Sequence, residues 1–177
     1  MKTNHIFLTT LLALLIALPS CLDNDNDYDD YEKRLQEELD SLEAYMLKYY
    51  PLLEPMESGL YYLDMETGTG DSAQVYNYVT INYVGYLLDS TMFDTNVDTM
   101  AIKGGIYDED RSYEPYKFML GSPYVLSGVQ QGVSYMKEGG KARVVFPSYL
   151  GYGTSTVGII LPYSSLIFDI HLILVEQ

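Results

Sequence analysis

Cys21 and two histidines, His5 and His171, are all that the 177 residues offer for thiolate or imidazole chemistry. One thiol makes neither an intramolecular disulfide nor a zinc or iron–sulfur cluster, and a transition-metal site wants His or Cys in groups. His5 lies in an amino-terminal stretch that reads as a leader, which leaves a single imidazole. His171 sits in an apolar run where it shares parity with Asp169, opposite Phe168, Ile170, Leu172 and Leu174. If that apolar set faces a core, His171 faces water, away from any cleft where a triad base stands beside its nucleophile. Gly151-Tyr152-Gly153 lacks the third glycine of a dinucleotide fingerprint. Asp108-Glu109-Asp110 lacks the ligand spacing of a calcium loop and reads as a solvated turn. No cofactor and no metal are expected.

Charge narrows the partners. Lys and Arg number 10 against 25 Asp and Glu, a formal net charge of −15, which repels polyphosphates and argues against nucleic acid. The aromatic load is 19 Tyr and 5 Phe with no Trp, and tyrosine, apolar in body with a polar tip, suits half-wet hollows. The chemistry open to such a chain needs no titrating group. Rotation about the peptide bond before proline is one example. Its barrier of about 18–20 kcal/mol comes from amide resonance, and uncatalysed exchange takes roughly tens to hundreds of seconds. An apolar hollow disfavours the polar planar amide relative to the twisted form, and a few hydrogen bonds hold the twist. Each ~1.36 kcal/mol so gained is tenfold in rate. Aromatic walls and one backbone N–H suffice.

Such groups need a scaffold. Residues 1–20 read as a signal peptide, with Lys2 as the positive flank, Ile6 to Leu18 as the apolar stretch and Leu18-Pro19-Ser20 as the processing site. The stretch is too short to span a bilayer comfortably. Cys21 follows Ser20, where lipoprotein signals place the thiol that is acylated, so a lipid-anchored protein of the bacterial envelope is expected, with a soluble secreted protein as the alternative. Residues 21–30 form an acidic tether with almost nothing to bury. In the segment 31–57, Tyr31 to Tyr50 is predicted helical. Leu35, Leu39, Leu42, Met46 and Tyr49 make one apolar stripe, with Glu37, Glu38, Asp40, Glu43 and Lys48 off it, and Pro51 and Pro55 stop it. The helix docks on its own domain or, alternatively, serves as a spacer or joins two chains in a homodimer through residues 31–50.

From Ser58 to Gln177 the period changes. Leu60 to Met65, Val75 to Leu88, Tyr116 to Leu120, Lys141 to Phe146 and Leu166 to Val175 read as strands. Leu126, Val129, Val133 and Met136 are spaced as a helix ended by Gly139-Gly140, and Thr95 to Pro115 reads as a long loop or insertion. Strands that are mostly neighbours, plus one short helix, give an α+β fold with an antiparallel sheet wrapped on that helix.

Seven segments then stand in a telling order. They are Val79-Thr-Ile-Asn-Tyr-Val-Gly-Tyr86, Met92-Phe93-Asp94, Phe118-Met-Leu-Gly121, Val125-Leu-Ser-Gly-Val-Gln-Gln-Gly132, Met136-Lys-Glu-Gly-Gly-Lys141, Tyr152-Gly153 and Leu166-Ile-Phe-Asp-Ile170. From about Ser58 to Glu176 the chain resembles the FKBP-type peptidyl-prolyl isomerases. The resemblance implies a pocket between sheet and short helix, with Tyr83, Phe93, Tyr116, Tyr152 and Phe168 on the aromatic positions. It places Asp94 at the pocket carboxylate and Val125 and Leu126 at the lip, where the Leu126 N–H would bond a substrate carbonyl. Ile160 falls at the rim.

Three departures stand out. The floor, commonly an indole, is Val129; a paired proline of the tip loop reads Leu161-Pro162; and the connection from Asp94 to Tyr116 is long. The expected function is isomerisation of X-Pro bonds in unfolded or exported proteins. The alternative is a catalytically weak or inactive binding and chaperone-like lipoprotein on the same fold.

Overall fold

The computed structural model describes residues 25–177, with side chains from Asp30 onward. The leader and Cys21 lie outside the described residues. Helix α1 spans Asp25–Tyr49 and is followed by β1 (Tyr61–Glu66), β2 (Tyr78–Leu87), β3 (Met92–Thr95), α2 (Asp98–Gly104), β4 (Tyr116–Met119), α3 (Ser127–Ser134), β5 (Lys141–Phe146) and β6 (Leu166–Glu176). The strands form one antiparallel sheet in the order β1-β5-β6-β2-β3, and β4 also pairs with β2. β3 and β4 take successive stretches of β2, with Val84 to Tyr86 against β3 and Tyr78 to Ile81 against β4. The long connection therefore leaves and rejoins the sheet beside Tyr83.

Alternation along β2, β5 and β6 sends one set of side chains to each face of the sheet. Val79, Ile81, Val144, Phe146, Phe168, Ile170 and Leu172 meet Val129 and Val133 of α3, and Met136 just after it, in the main core. α3 lies close to the sheet because Gly128 has no side chain: a Cβ there would stand 2.4 Å from the Phe146 ring. On the other face Leu42 and Met46 of α1 pack on Tyr61, Val145 and Ile167. Each such buried side chain is worth roughly 1.5–3 kcal/mol. Arg143 fixes the carboxyl end of α1, donating at 2.6 and 2.7 Å to both oxygens of Asp169 and at 2.9 Å to the Tyr50 hydroxyl.

Three expectations change. α1 starts at Asp25, inside the expected tether, since carboxylates in a first turn are favoured by the helix dipole. Leu42 and Met46 of its apolar stripe pack on the chain's own sheet, as the docking expectation has it, while Tyr49 of the same stripe is 54% exposed. Glu38, expected on the solvent side, is only 6% exposed; it stands one helical turn before Leu42, on the same face. Leu174, expected inward, is 41% exposed, while Val175 is buried. A bulge between Thr80 and Ile81 puts Ile81 against Leu172 and Thr80 against Leu174, and that extra residue on β6 reverses the parity of its end. Within the stretch 95–115, α2 forms a short helix that turns to the outer face, where Val97 and Met100 line a hollow with Val84 and His171.

Candidate active site

Between α3 and the inner face of the sheet lies a hollow of about 170 Å³, lined by Ile81, Tyr83, Asp94, Tyr116, Tyr124, Val125, Leu126, Val129, Tyr152 and Phe168. Two larger hollows, each about 400 Å³, run along α1 and touch none of these residues. Phe168 is the hub of the aromatic set. It is 5% exposed, with the Tyr83 ring at 5.9 Å, Phe93 edge-on at 5.6 Å and Phe146 stacked at 5.7 Å. Tyr116 meets Tyr83 edge-on at 6.4 Å. Gly85 makes room for this arrangement, since a Cβ there would sit 2.6 Å from the Phe93 ring.

The polar end of the hollow is Asp94. Tyr83 donates its hydroxyl to Asp94 Oδ2 at 2.7 Å, and Arg111 Nη1 donates to Oδ1 at 2.6 Å. Burial first, and the bond to Asp94 second, raise the Tyr83 hydroxyl far above an ordinary tyrosine, so it remains a neutral donor. Burial, with the Asp94 charge behind it, raises Tyr152 as well. The hydrogen bond to Asp94 is the main cause that raises Arg111.

Backbone positions around Tyr83 are held by side chains. Where β2 has left β4 and has not yet met β3, Asn96 stands in for a strand: its Oδ1 accepts from the Tyr83 N–H at 2.8 Å, and its Nδ2 donates to the Ile81 and Glu114 carbonyls, each at 3.0 Å. Thr95 donates its hydroxyl to the Tyr83 carbonyl at 2.6 Å. The lip is stapled in a similar way. Gln130 of α3 donates to the Ser122 and Val125 carbonyls and accepts from the Gly121 N–H. Leu126 is the N-cap of α3, and its own N–H has no acceptor among the described residues.

Of the ten positions singled out for the pocket, Tyr83, Asp94, Tyr116, Val125, Leu126, Val129, Tyr152 and Phe168 line the hollow. Phe93 backs Phe168 without lining it. Ile160 is not at the rim; it is buried in the main core, turned inward by a tight 157–160 hairpin. Ile81, Tyr124 and Arg111 were missed by sequence reasoning. Ile81 reads as ordinary core, Tyr124 is 91% exposed beside the lip, and Arg111 arrives from an insertion with no pattern of its own. His171 does not line this hollow; with Asp169 it lines another one, on the outer face of the sheet.

The family model for FKBP-type peptidyl-prolyl cis-trans isomerases matches residues 70–173, from before β2 into β6. The chain belongs to the FKBP-type peptidyl-prolyl cis-trans isomerase family. An FK506-binding protein of Neisseria meningitidis serogroup B is 33% identical over 120 residues, 67% of this chain and 98% of that relative. FkpA of Buchnera aphidicola is 33% identical over 147 residues, 81% of this chain and 52% of the relative. Among solved structures, FkpA from Escherichia coli superposes with a TM-score of 0.63 at 28% identity, covering 86% of this chain and 63% of that one. A peptidyl-prolyl cis-trans isomerase from Pseudomonas syringae gives 0.62 at 30% identity, covering 80% and 96%. The match leaves α1 and β1 outside the family model, yet it contains every residue that lines the hollow. The fold of this FKBP-family chain is therefore α+β, as the order of its segments implied.

Proposed function

We propose that this FKBP-family chain isomerises X-Pro bonds of unfolded or exported proteins in the hollow between α3 and the sheet, held at a bacterial envelope membrane by an acyl chain on Cys21. The observation that carries the reading is the Tyr83–Asp94–Arg111 chain of hydrogen bonds standing at one end of an otherwise apolar, ring-lined hollow.

The mechanism moves no proton. A proline ring seated on Val129 and Phe168, between Tyr83, Tyr116 and Tyr152, leaves its preceding amide in surroundings poor in water. Planar amide resonance places charge on the carbonyl oxygen, and that charge is better solvated by water than by rings. Transfer to the hollow therefore disfavours the planar form more than the twisted one. Asp94 fixes the Tyr83 hydroxyl and Tyr83 fixes the wall, so the dipoles are oriented before substrate arrives. The Leu126 N–H holds a substrate carbonyl at the lip. The carboxylate's own charge is offset by Arg111, which keeps it from repelling an electron-rich carbonyl.

Among the described residues no helix is long and apolar enough to cross a membrane, and an acyl anchor needs none. Because α1 packs on the sheet through Leu42 and Met46, a lipidated Cys21 would hold the domain through that docked helix.

The opposing reading, a binding module without catalysis, draws on Val129, a smaller floor than the family's usual indole. Refolding of a protein limited by a proline step separates the two. Acceleration by the full chain that is lost in Tyr152→Phe supports the isomerase; peptide binding with no acceleration leaves the binding module.

A further inference from the structure

Glu38 lies outside the family model and outside the hollow, yet among the described side chains it is the most deeply buried carboxylate of α1. Its Oε1 accepts from the Ser148 N–H at 2.6 Å and from the Ser165 hydroxyl at 2.7 Å, and its Oε2 accepts from the Ser148 hydroxyl at 2.5 Å. Both serines are themselves buried. A carboxylate taken out of water is costly unless its lone pairs are filled; here three donors fill them. Charge-assisted bonds of this length are among the stronger polar contacts a protein makes.

What matters is where those donors stand. Ser148 and Ser165 are the two ends of the loop that joins β5 to β6, and this loop carries Tyr152 into the hollow. From Ser148 the hold passes inward, because its carbonyl accepts from the Gly151 N–H at 2.7 Å and the Gly153 N–H at 2.8 Å, the residues on either side of Tyr152. From Gly153 it passes to the returning limb, whose Tyr163 N–H donates to the Gly153 carbonyl at 2.9 Å. A second contact joins α1 to that limb, the Tyr31 and Tyr163 rings at 5.8 Å.

We propose that Glu38 is a positioning residue, a clamp through which α1 closes the base of the 148–165 loop and thereby sets the Tyr152 wall of the hollow. α1 is thus part of the working pocket unit, and a pull or a partner that lifts it from the sheet loosens the pocket from outside. The activity half of this statement rests on the isomerase reading; the structural half does not.

The test is backbone hydrogen exchange on the full chain, read beside kcat and KM on an X-Pro peptide. In Glu38→Ala, amides of 149–164 should exchange at least about tenfold faster, the scale of one lost charge-assisted bond, while those of α3 keep their protection. kcat should fall with them, and KM should change less. Glu38→Gln keeps an oxygen for Ser148 and turns its amide toward the hydroxyls, so it should restore most of both readouts. Met46→Ala loosens α1 without touching the clamp and should not single out 149–164. Ser165→Ala, a milder change, should free the returning limb alone and serves if Glu38→Ala does not fold. Exchange in 149–164 that stays at the wild-type level, rises equally throughout the chain, or is no better in Gln than in Ala overturns the clamp. An inactive wild type would sink the isomerase reading and leave the exchange result to judge the clamp.

Discussion

Tyr83 on β2 and Asp94 on β3 are joined side chain to side chain at 2.7 Å, across the Gly85–Asp94 register of their two strands. The bond ties the central aromatic wall of the hollow to Asp94, the one carboxylate among its described lining residues. Tyr83→Phe keeps the ring and removes the tie. We expect kcat/KM on an X-Pro peptide to fall about three- to tenfold, the worth of roughly one hydrogen bond, with little change in thermal midpoint. A steady-state assay beside a melting curve checks both.

Arg111 reaches the same carboxylate from the insertion, and the pair is partly exposed. In Arg111→Ala the Asp94 charge is no longer offset at the mouth. Activity should fall, and the wild type should approach the variant as salt is raised, because screening weakens exposed pairs. Rates measured across a salt series decide this.

Asn96 is the replacement strand beside Tyr83. Asn96→Ala leaves the Tyr83 N–H and the Ile81 carbonyl without their partner. Unpaired buried groups cost about 1–3 kcal/mol each, so urea unfolding should show a large loss of stability with an unchanged m-value.

Alkali gives a further check. Tyr45, Tyr61, Tyr62, Tyr83, Tyr86, Tyr149 and Tyr152 are all raised above the ordinary value of 10.0, in each case chiefly by burial. A tyrosine raised in the fold is neutral in both states below its unfolded value. Above that value the unfolded chain gives up protons first, so stability falls as pH rises. Stability should therefore be insensitive to these groups up to about pH 9 and decline steeply beyond pH 10 or so. Unfolding followed by tyrosinate absorbance should be cooperative, and Tyr83→Phe should soften the slope.

Much of this was legible in residue spacing, and the failures share a cause. The β2 alternation at Val79, Ile81 and Tyr83 and the limits of β5 at Lys141 and Phe146 follow from local period alone. Eight pocket positions could be placed because a register of many segments constrains each one. Glu38 was misread because a helical stripe ranks residues by polarity, and a carboxylate with three donors waiting more than a hundred positions away does not show in the helix itself. Leu174 was misread because a bulge is a pairing event between strands, invisible in either one. Arg111 and Tyr124 escaped since an insertion and an exposed loop carry no periodic signal.

The most direct measurement is cis–trans exchange of a short X-Pro peptide, followed by magnetisation transfer with and without the full chain. The account requires faster exchange with wild type, slowed in Tyr83→Phe and in Tyr152→Phe while both remain folded. Exchange at the uncatalysed rate with saturating wild-type protein would contradict it.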